Sequence, residues 1–167
     1  MAGAEKVELR QFLQVCVVVK DLDEAMEQYW EVFGIGPWEI HTFAPPALTE
    51  TTIRGKPEPY TMKLATAQVG SVQWELIEPL TGPSIYAEFL EEHGEGLHHV
   101  ACEVEDFDRA VAALDAQEMG ILMGGTWNGA TYAYMDTQKT LGAILEIYKM
   151  APDFEMPEPE ATYPSST

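Results

Sequence analysis

Four polar side chains interrupt apolar, strand-like runs at matched places in the chain. Gln14 opens Gln14-Val-Cys-Val-Val-Val and His99 opens His99-Val-Ala-Cys-Glu-Val. Glu75 opens Glu75-Leu-Ile-Glu-Pro and Glu146 opens Glu146-Ile-Tyr-Lys-Met. One imidazole nitrogen, one amide oxygen and two carboxylates form a donor set for a divalent cation. Nitrogen combined with carboxylate oxygen suits Zn²⁺, Co²⁺, Ni²⁺ or Mn²⁺, and two carboxylates neutralise the dication. A cation holding a carbonyl oxygen acidifies the neighbouring C–H bond, and a carboxylate at its edge can take the proton; Glu146 is placed for that if it binds the cation weakly.

Taken singly, each residue is weak evidence. A histidine in an apolar strand is more often a satisfied core residue than a ligand, and a glutamate such as Glu75 can face water from a half-exposed strand. The repeat changes the weighing, because unrelated polar interruptions have no reason to fall at equivalent positions. Asp21-Leu-Asp follows the first phrase and Asp106-Phe-Asp the second. Gln14 and His99 are 85 positions apart, whereas Glu75 and Glu146 are 71 apart. The difference of 14 is about the size of a Pro-rich excursion, residues 44–59, found only in the first copy. His98 competes with His99 if the strand register slips by one residue.

The elements that must position these residues follow from pattern. Phe12–Val19 reads as a β-branched strand. Leu22, Ala25, Met26, Tyr29, Trp30 and Phe33 recur at helical spacing behind the cap residue Asp21 and before Gly34. A strand over Trp38–Phe43 precedes the excursion, which reads as loop, and a hairpin over 60–68 and 72–78 follows. Ser84 caps a linking helix that ends near His93. The second copy adds a strand from Leu97, a helix from Asp106 closed by Gly120, and strands near 121–123, 132–136 and 143–148. Each module is thus βαβββ. The predicted fold class is α+β: an N-terminal extension (1–10), module one (11–80), a linker helix (81–96), module two (97–150) and an acidic disordered tail (151–167).

Nine Lys+Arg against 28 Asp+Glu leave a net charge of −19. Such a surface repels nucleic acid and anionic membranes. No apolar run reaches the ~20 residues of a membrane helix, the first residues lack a signal-peptide pattern, and two cysteines inside apolar runs read as buried thiols. A cytoplasmic protein is expected. Trp38, Phe43, Tyr60, Trp127, Tyr132 and Tyr148 are expected around the pocket, which suits a flat neutral ligand. Few basic side chains (Arg54, Lys56, Lys63) are available for phosphates.

The phrases Gln14-Val-Cys-Val-Val-Val-Lys-Asp-Leu-Asp, Glu75-Leu-Ile-Glu-Pro-Leu80, Gly96-Leu-His-His-Val-Ala101 and Ile144-Leu-Glu-Ile-Tyr148 closely resemble the vicinal-oxygen-chelate superfamily. That group holds glyoxalase I, methylmalonyl-CoA epimerase, extradiol dioxygenases and bleomycin-resistance proteins. The resemblance implies an open barrel of two βαβββ modules, a divalent metal held by Gln14, Glu75, His99 and Glu146, and a homodimer. It is strongest to methylmalonyl-CoA epimerase, although the quartet here is similar to the zinc-type glyoxalase I set. Lys63 stands near the epimerases' second acid/base glutamate and is the expected second catalytic group beside Glu146; Glu50 and His41 are further candidates. The implied function is a metal-dependent epimerase or racemase acting on a neutral aromatic, isoflavonoid-type ketone or an acyl-CoA thioester. A glyoxalase I-type lyase and a metal-free binding protein are the alternatives.

Overall fold

A computed structural model describes residues 5–165 of the chain. The first half runs β1 (Gln11–Val18), α1 (Leu22–Phe33), β2 (Trp38–Phe43), β3 (Leu48–Ile53), β4 (Lys56–Pro57), β5 (Thr61–Val69) and β6 (Val72–Thr81). After α2 (Ile85–His93) come β7 (Gly96–Glu103), α3 (Phe107–Asp115), β8 (Ile121–Trp127), β9 (Ala130–Met135), α4 (Gln138–Leu141), β10 (Ile144–Met150) and β11 (Ala161–Tyr163). The helices α1, α2 and α3 start where their caps stand. Asp21 accepts from the Glu24 N–H at 2.9 Å, Ser84 from Ala87 at 3.1 Å and Asp106 from Arg109 at 2.9 Å. Each cap satisfies one of the N–H groups that a first turn leaves unpaired. Gly34 ends α1 in the left-handed conformation, φ 66°. Among the described residues no helix is long and apolar enough to cross a membrane.

The strands form one curved sheet, ordered β11-β2-β5-β6-β1-β7-β10-β9-β8-β3-β4. Its centre is the antiparallel pair β1–β7, and the pairing is symmetric. Gln14 faces Ala101 and Cys16 faces His99; adding the 85-residue offset to Gln14 and Cys16 gives His99 and Ala101. The flanking parallel pairs are equivalent, with the offset there shortened to 71 by the excursion. Cys16 aligns with Glu75 on β6, and Ala101 aligns with Glu146 on β10. The two carboxylates therefore occupy equivalent places on either side of the central pair.

Side-chain alternation divides the sheet into two faces. On one, α1 covers Val17, Val19, Trp38, Ile40, Ala65 and Leu76. The α3 helix covers Cys102, Ala133, Leu145 and Ile147 in the second half. The other face is concave, and α2 plugs one end of it through Ile85 and Tyr86.

Three expectations are corrected. The Pro-rich excursion is not a loop throughout. Leu48–Ile53 forms β3 and crosses to pair with β8 of the other half, Leu48 opposite Trp127 and Ile53 opposite Met123. The C-terminal residues are not a disordered tail as far as Ser165. Ala161–Tyr163 adds an antiparallel strand to β2, with Tyr163 opposite Trp38; an acidic, Pro-rich composition hid three residues that satisfy an open sheet edge. Finally, α3 ends at Asp115, five residues before Gly120, with Glu118 rather than a glycine at positive φ (64°).

Candidate metal centre and pocket

The concave face of the central strands carries the four predicted ligand residues. His99 is buried, and its Nε2 lies 3.4 Å from Glu75 Oε2 and 3.3 Å from Glu146 Oε2. Gln14 is buried and donates its amide N–H to Gln73 Oε1 at 2.9 Å. That bond uses the nitrogen end of the amide and leaves the oxygen as the end that can face a cation. Glu75 Oε2 and His99 Nε2 are buried without a hydrogen-bond partner. Burying such groups unpaired costs about 1–3 kcal/mol each, more when charged. Two orphaned ligand atoms aimed at one point, with a second carboxylate beside them, fit a divalent cation.

Cys16 was read from sequence only as a buried thiol. It is buried and free, but it lies opposite both Glu75 and His99, one ligand atom of each of the three falling within 4.8 Å of the others. The signal lay in the alternation that puts Cys16 on the same face as Gln14. Burial raises its thiol pKa, and the neighbouring Glu75 raises it further. Before any metal binds, it is therefore a neutral S–H beside the Glu75 carboxyl.

His98 departs from simple alternation. Cys16 aligns with His99 and Val17 with Leu97, so His98 is the extra residue of a β-bulge. The bulge re-aims its side chain. Instead of facing away, the His98 ring lies against Tyr86 and Phe89, and its Nδ1 is 2.9 Å from His99 Nδ1. A metal on His99 Nε2 requires the proton on Nδ1, donated to His98. Burial, then the neighbouring His99, lowers the His98 pKa to about 3, so this ring is neutral and able to accept.

As it stands, His99 is protonated beside the two carboxylates. Burial lowers its pKa, but Glu146 and Glu75 outweigh burial and hold it up, at about 9. Glu75 is raised by burial, a shift opposed by His99.

These groups open into a cavity of about 300 Å³. Gln14, Gln73, Glu75 and Glu146 form its polar floor, and Phe43, Trp127, Tyr132, Tyr134 and Tyr148 its aromatic wall. Phe43 stacks on Trp127 with centroids 4.1 Å apart and planes 10° apart, joining the two halves across the concave face. Of the expected pocket aromatics, Trp38 faces α1 instead. Tyr60 is buried, its hydroxyl donating to Gly124 O at 3.0 Å and paired with Tyr132 Oη at 2.7 Å. Gly125 makes room for that pair, since a Cβ there would meet Tyr132 Oη at 2.8 Å. Tyr134, which sequence reasoning missed, stands T-shaped to His99 at 4.8 Å and accepts a hydrogen bond from Tyr86 at 2.6 Å. Burial raises the Tyr134 pKa well above its ordinary value, so its hydroxyl stays protonated.

The candidates for a second acid/base separate by face. Met62, Leu64 and Thr66 of β5 line the cavity, so alternation turns Lys63 outward. Its Nζ stands 4.0 Å from Asp23 at the start of α1. Lys63 does not join the site. Glu50 accepts a hydrogen bond from Thr126 at the exposed β3–β8 pairing. His41 shares the inward face of β2 with Glu39 and Phe43; it is buried, packs edge-on to Trp127 at 5.5 Å, and has an unpartnered Nε2. Burial lowers its pKa, which leaves it neutral at pH 7.

Comparison with known proteins agrees with the fold. The solved structure of methylmalonyl-CoA epimerase from Mycobacterium tuberculosis is similar over 86% of this chain and 90% of that one, at 22% identity and a TM-score of 0.59. A Streptomyces coelicolor methylmalonyl-CoA epimerase variant with 2-nitronate-propionyl-CoA covers 86% and 99%, at 18% identity and TM-score 0.57. At these identities the likeness is one of fold. The uncharacterized protein YqjC of Bacillus subtilis (strain 168) is 35% identical over 91 residues, which is 52% of this chain. The match spans 64% of that relative's length. The profile of the Glyoxalase/Bleomycin resistance protein/Dioxygenase superfamily matches residues 13–134, and the chain belongs to that superfamily.

Proposed function

We propose that this protein is a metal-dependent epimerase or racemase that moves a proton at the carbon next to a carbonyl. The observation that carries the reading is the pair of orphaned buried ligand atoms, His99 Nε2 and Glu75 Oε2, beside Glu146 at the floor of an apolar cavity. Gln14, Glu75, His99 and Glu146 would hold a Zn²⁺, Co²⁺, Ni²⁺ or Mn²⁺ ion, which when bound supplies a Lewis acid for a substrate carbonyl.

The chain's own residues do the rest. Glu146, at the cavity floor, takes the proton from the substrate carbon. The Tyr134 hydroxyl, already accepting from Tyr86, keeps its own proton to donate toward developing negative charge. His41, on the inward face of β2, replaces Lys63 as the candidate second group: being neutral it takes the proton from one enantiomer while protonated Glu146 returns one to the other face, and once protonated it donates in the reverse direction. The aromatic wall excludes water and holds a flat substrate.

The substrate reading is a neutral aromatic ketone rather than an acyl-CoA thioester. Among the described residues lining the cavity there is no Lys or Arg, whereas Glu39, Glu75 and Glu146 are present. The reading includes a homodimer, supported by the exposed Val32, Phe33 and Leu97 (65–71% exposed); sedimentation velocity at micromolar concentration tests it. The function itself is tested by incubating metal-loaded protein with ketone and thioester substrates in D₂O. Metal-dependent incorporation of one deuteron at the α-carbon, abolished by chelator, is expected. Absence of exchange on every substrate together with hemithioacetal turnover would replace this reading by a glyoxalase I-type lyase. Failure to bind any divalent metal would leave a metal-free binding protein.

A further inference from the structure

We propose that residues 151–163 complete the substrate site as a strap, with Phe154 and Met156 as specificity-determining residues, and that the strap restricts the site to neutral, apolar-flanked carbonyl compounds without an anionic tail. This deepens the reading above by naming the substrate class, and it rests on that reading.

The path of the chain carries the argument. After β10 ends at Met150, the next strand, β11, pairs with β2. Five strands, β7, β1, β6, β5 and β2, lie between β10 and β11. At ~4.8 Å per strand that separation is about 29 Å along the sheet, and the ten residues from Ala151 to Ala161 reach at most ~35 Å. Most of the segment's reach is used in the crossing. Phe154 and Met156 line the cavity beside Phe43 and Tyr148, so the route crosses the cavity mouth.

The strap is fastened at both ends. At the near end the Ala151 N–H donates to Gly129 O at 2.9 Å and the Phe154 N–H to Ala151 O at 3.0 Å. At the far end the Glu160 N–H donates to Ile40 O at 2.9 Å. The Glu160 carboxylate accepts from the Thr42 N–H at 2.7 Å and from Thr42 Oγ1 at 2.9 Å. Pro157 and Pro159 lie between the fastenings, and each fixes φ and reduces the freedom the segment loses on docking.

The strap selects in two ways. Its two apolar side chains close the cavity over a compact ligand. The strap is also acidic, carrying Asp153, Glu155, Glu158 and Glu160 in sequence, and the cavity lining adds Glu39. A phosphate-bearing tail leaving the cavity beside this segment would meet like charge, which repels it.

The test uses the full-length Zn²⁺-loaded protein and two probes, deoxybenzoin as a neutral aryl ketone and propionyl-CoA, with binding read by titration calorimetry at low salt. The wild type is expected to bind deoxybenzoin. The Phe154→Ala/Met156→Ala double variant should bind it at least tenfold more weakly with unchanged zinc content. Propionyl-CoA should bind the wild type more weakly than the ketone, and Asp153→Asn/Glu155→Gln/Glu158→Gln should improve its binding several-fold. Phe154→Trp, which fills rather than empties the wall, guards against a fold defect in the alanine variant and should also change ketone affinity. No ketone binding by the wild type, equal affinity in wild type and both Phe154 variants, or tighter binding of propionyl-CoA would overturn the proposal. Ketone binding that depends on Phe154 but without deuteron exchange would sink the enolising reading and leave the strap standing.

Discussion

In the proposed centre metal and proton compete for His99, and the competition has a measurable slope. The imidazole must be neutral to bind a cation through Nε2, yet Glu146 and Glu75 hold its pKa at about 9 against the opposing effect of burial. At pH 7 only about one molecule in a hundred has the neutral ring, so apparent metal affinity should stand roughly 100-fold below its plateau. Between pH 6.5 and 8.5 it should rise nearly tenfold per pH unit, flattening as pH approaches the His99 pKa of about 9. Co²⁺ titrated by its visible absorption at several pH values, against a chelator of known affinity, measures the slope. The metal-free protein should respond in the opposite direction. A group whose folded pKa lies above its unfolded value stabilises fully below the unfolded value, here about 6.5, and that contribution is lost as pH rises through about 9. The rise from 6.5 to about 9 corresponds to roughly 3 kcal/mol. Urea melts of metal-free protein should therefore show declining stability from pH 6.5 to 9.5, whereas saturating Zn²⁺ should reverse the trend. A metal affinity that changes less than threefold between pH 6.5 and 8.5 would refute the reasoning, because the proton would then not be occupying the ligand atom.

Glu146→Gln should reduce deuteron exchange by at least 100-fold, measured by mass spectrometry, since the amide cannot take the proton. His98→Phe keeps aromatic packing against Tyr86 and Phe89 but removes the Nδ1 contact to His99; metal affinity should fall about 10–100-fold, with an altered Co²⁺ spectrum. Tyr60→Phe leaves Gly124 O and the Tyr132 hydroxyl without their partner and should cost about 1–2 kcal/mol in urea melts. Lys63→Met should leave exchange within twofold of wild type, because Lys63 points toward Asp23 rather than into the cavity.

What could be read from the chain depended on how local the determining physics was. Caps, helix starts and the hairpin are decided by neighbours in sequence, and Asp21, Ser84 and Asp106 stand where the helices begin. That Gln14, Glu75, His99 and Glu146 come together was legible because the repeat converts a long-range question into a comparison of two short phrases. What was missed depends on pairing between distant segments. Nothing near Leu48 reveals that it will lie opposite Trp127, and nothing near Ala161 reveals an unfilled edge at β2. The bulge at His98 is a pairing irregularity, and simple alternation sent that side chain to the wrong face. Lys63 failed for a related reason. It was placed by likeness to a neighbouring family, whereas the two-residue period of β5 gives the cavity Met62, Leu64 and Thr66.

The two missed strands belong to one arrangement. A curved sheet of two modules has two outer edges, β2 and β8, each a row of unpaired backbone groups that invites association with another chain. The first module sends β3 across to cover β8, and the segment after the second module sends β11 across to cover β2. The exchange makes each half depend on the other, and it places both crossing segments around the same concave face. Edge protection and pocket shape are therefore coupled through the same residues: shortening either crossing segment to admit a larger ligand would also uncover a strand edge. Changes in substrate range are cheaper in side chains than in segment length, and Phe43, Trp127, Phe154 and Met156 are the positions where the fold leaves that freedom.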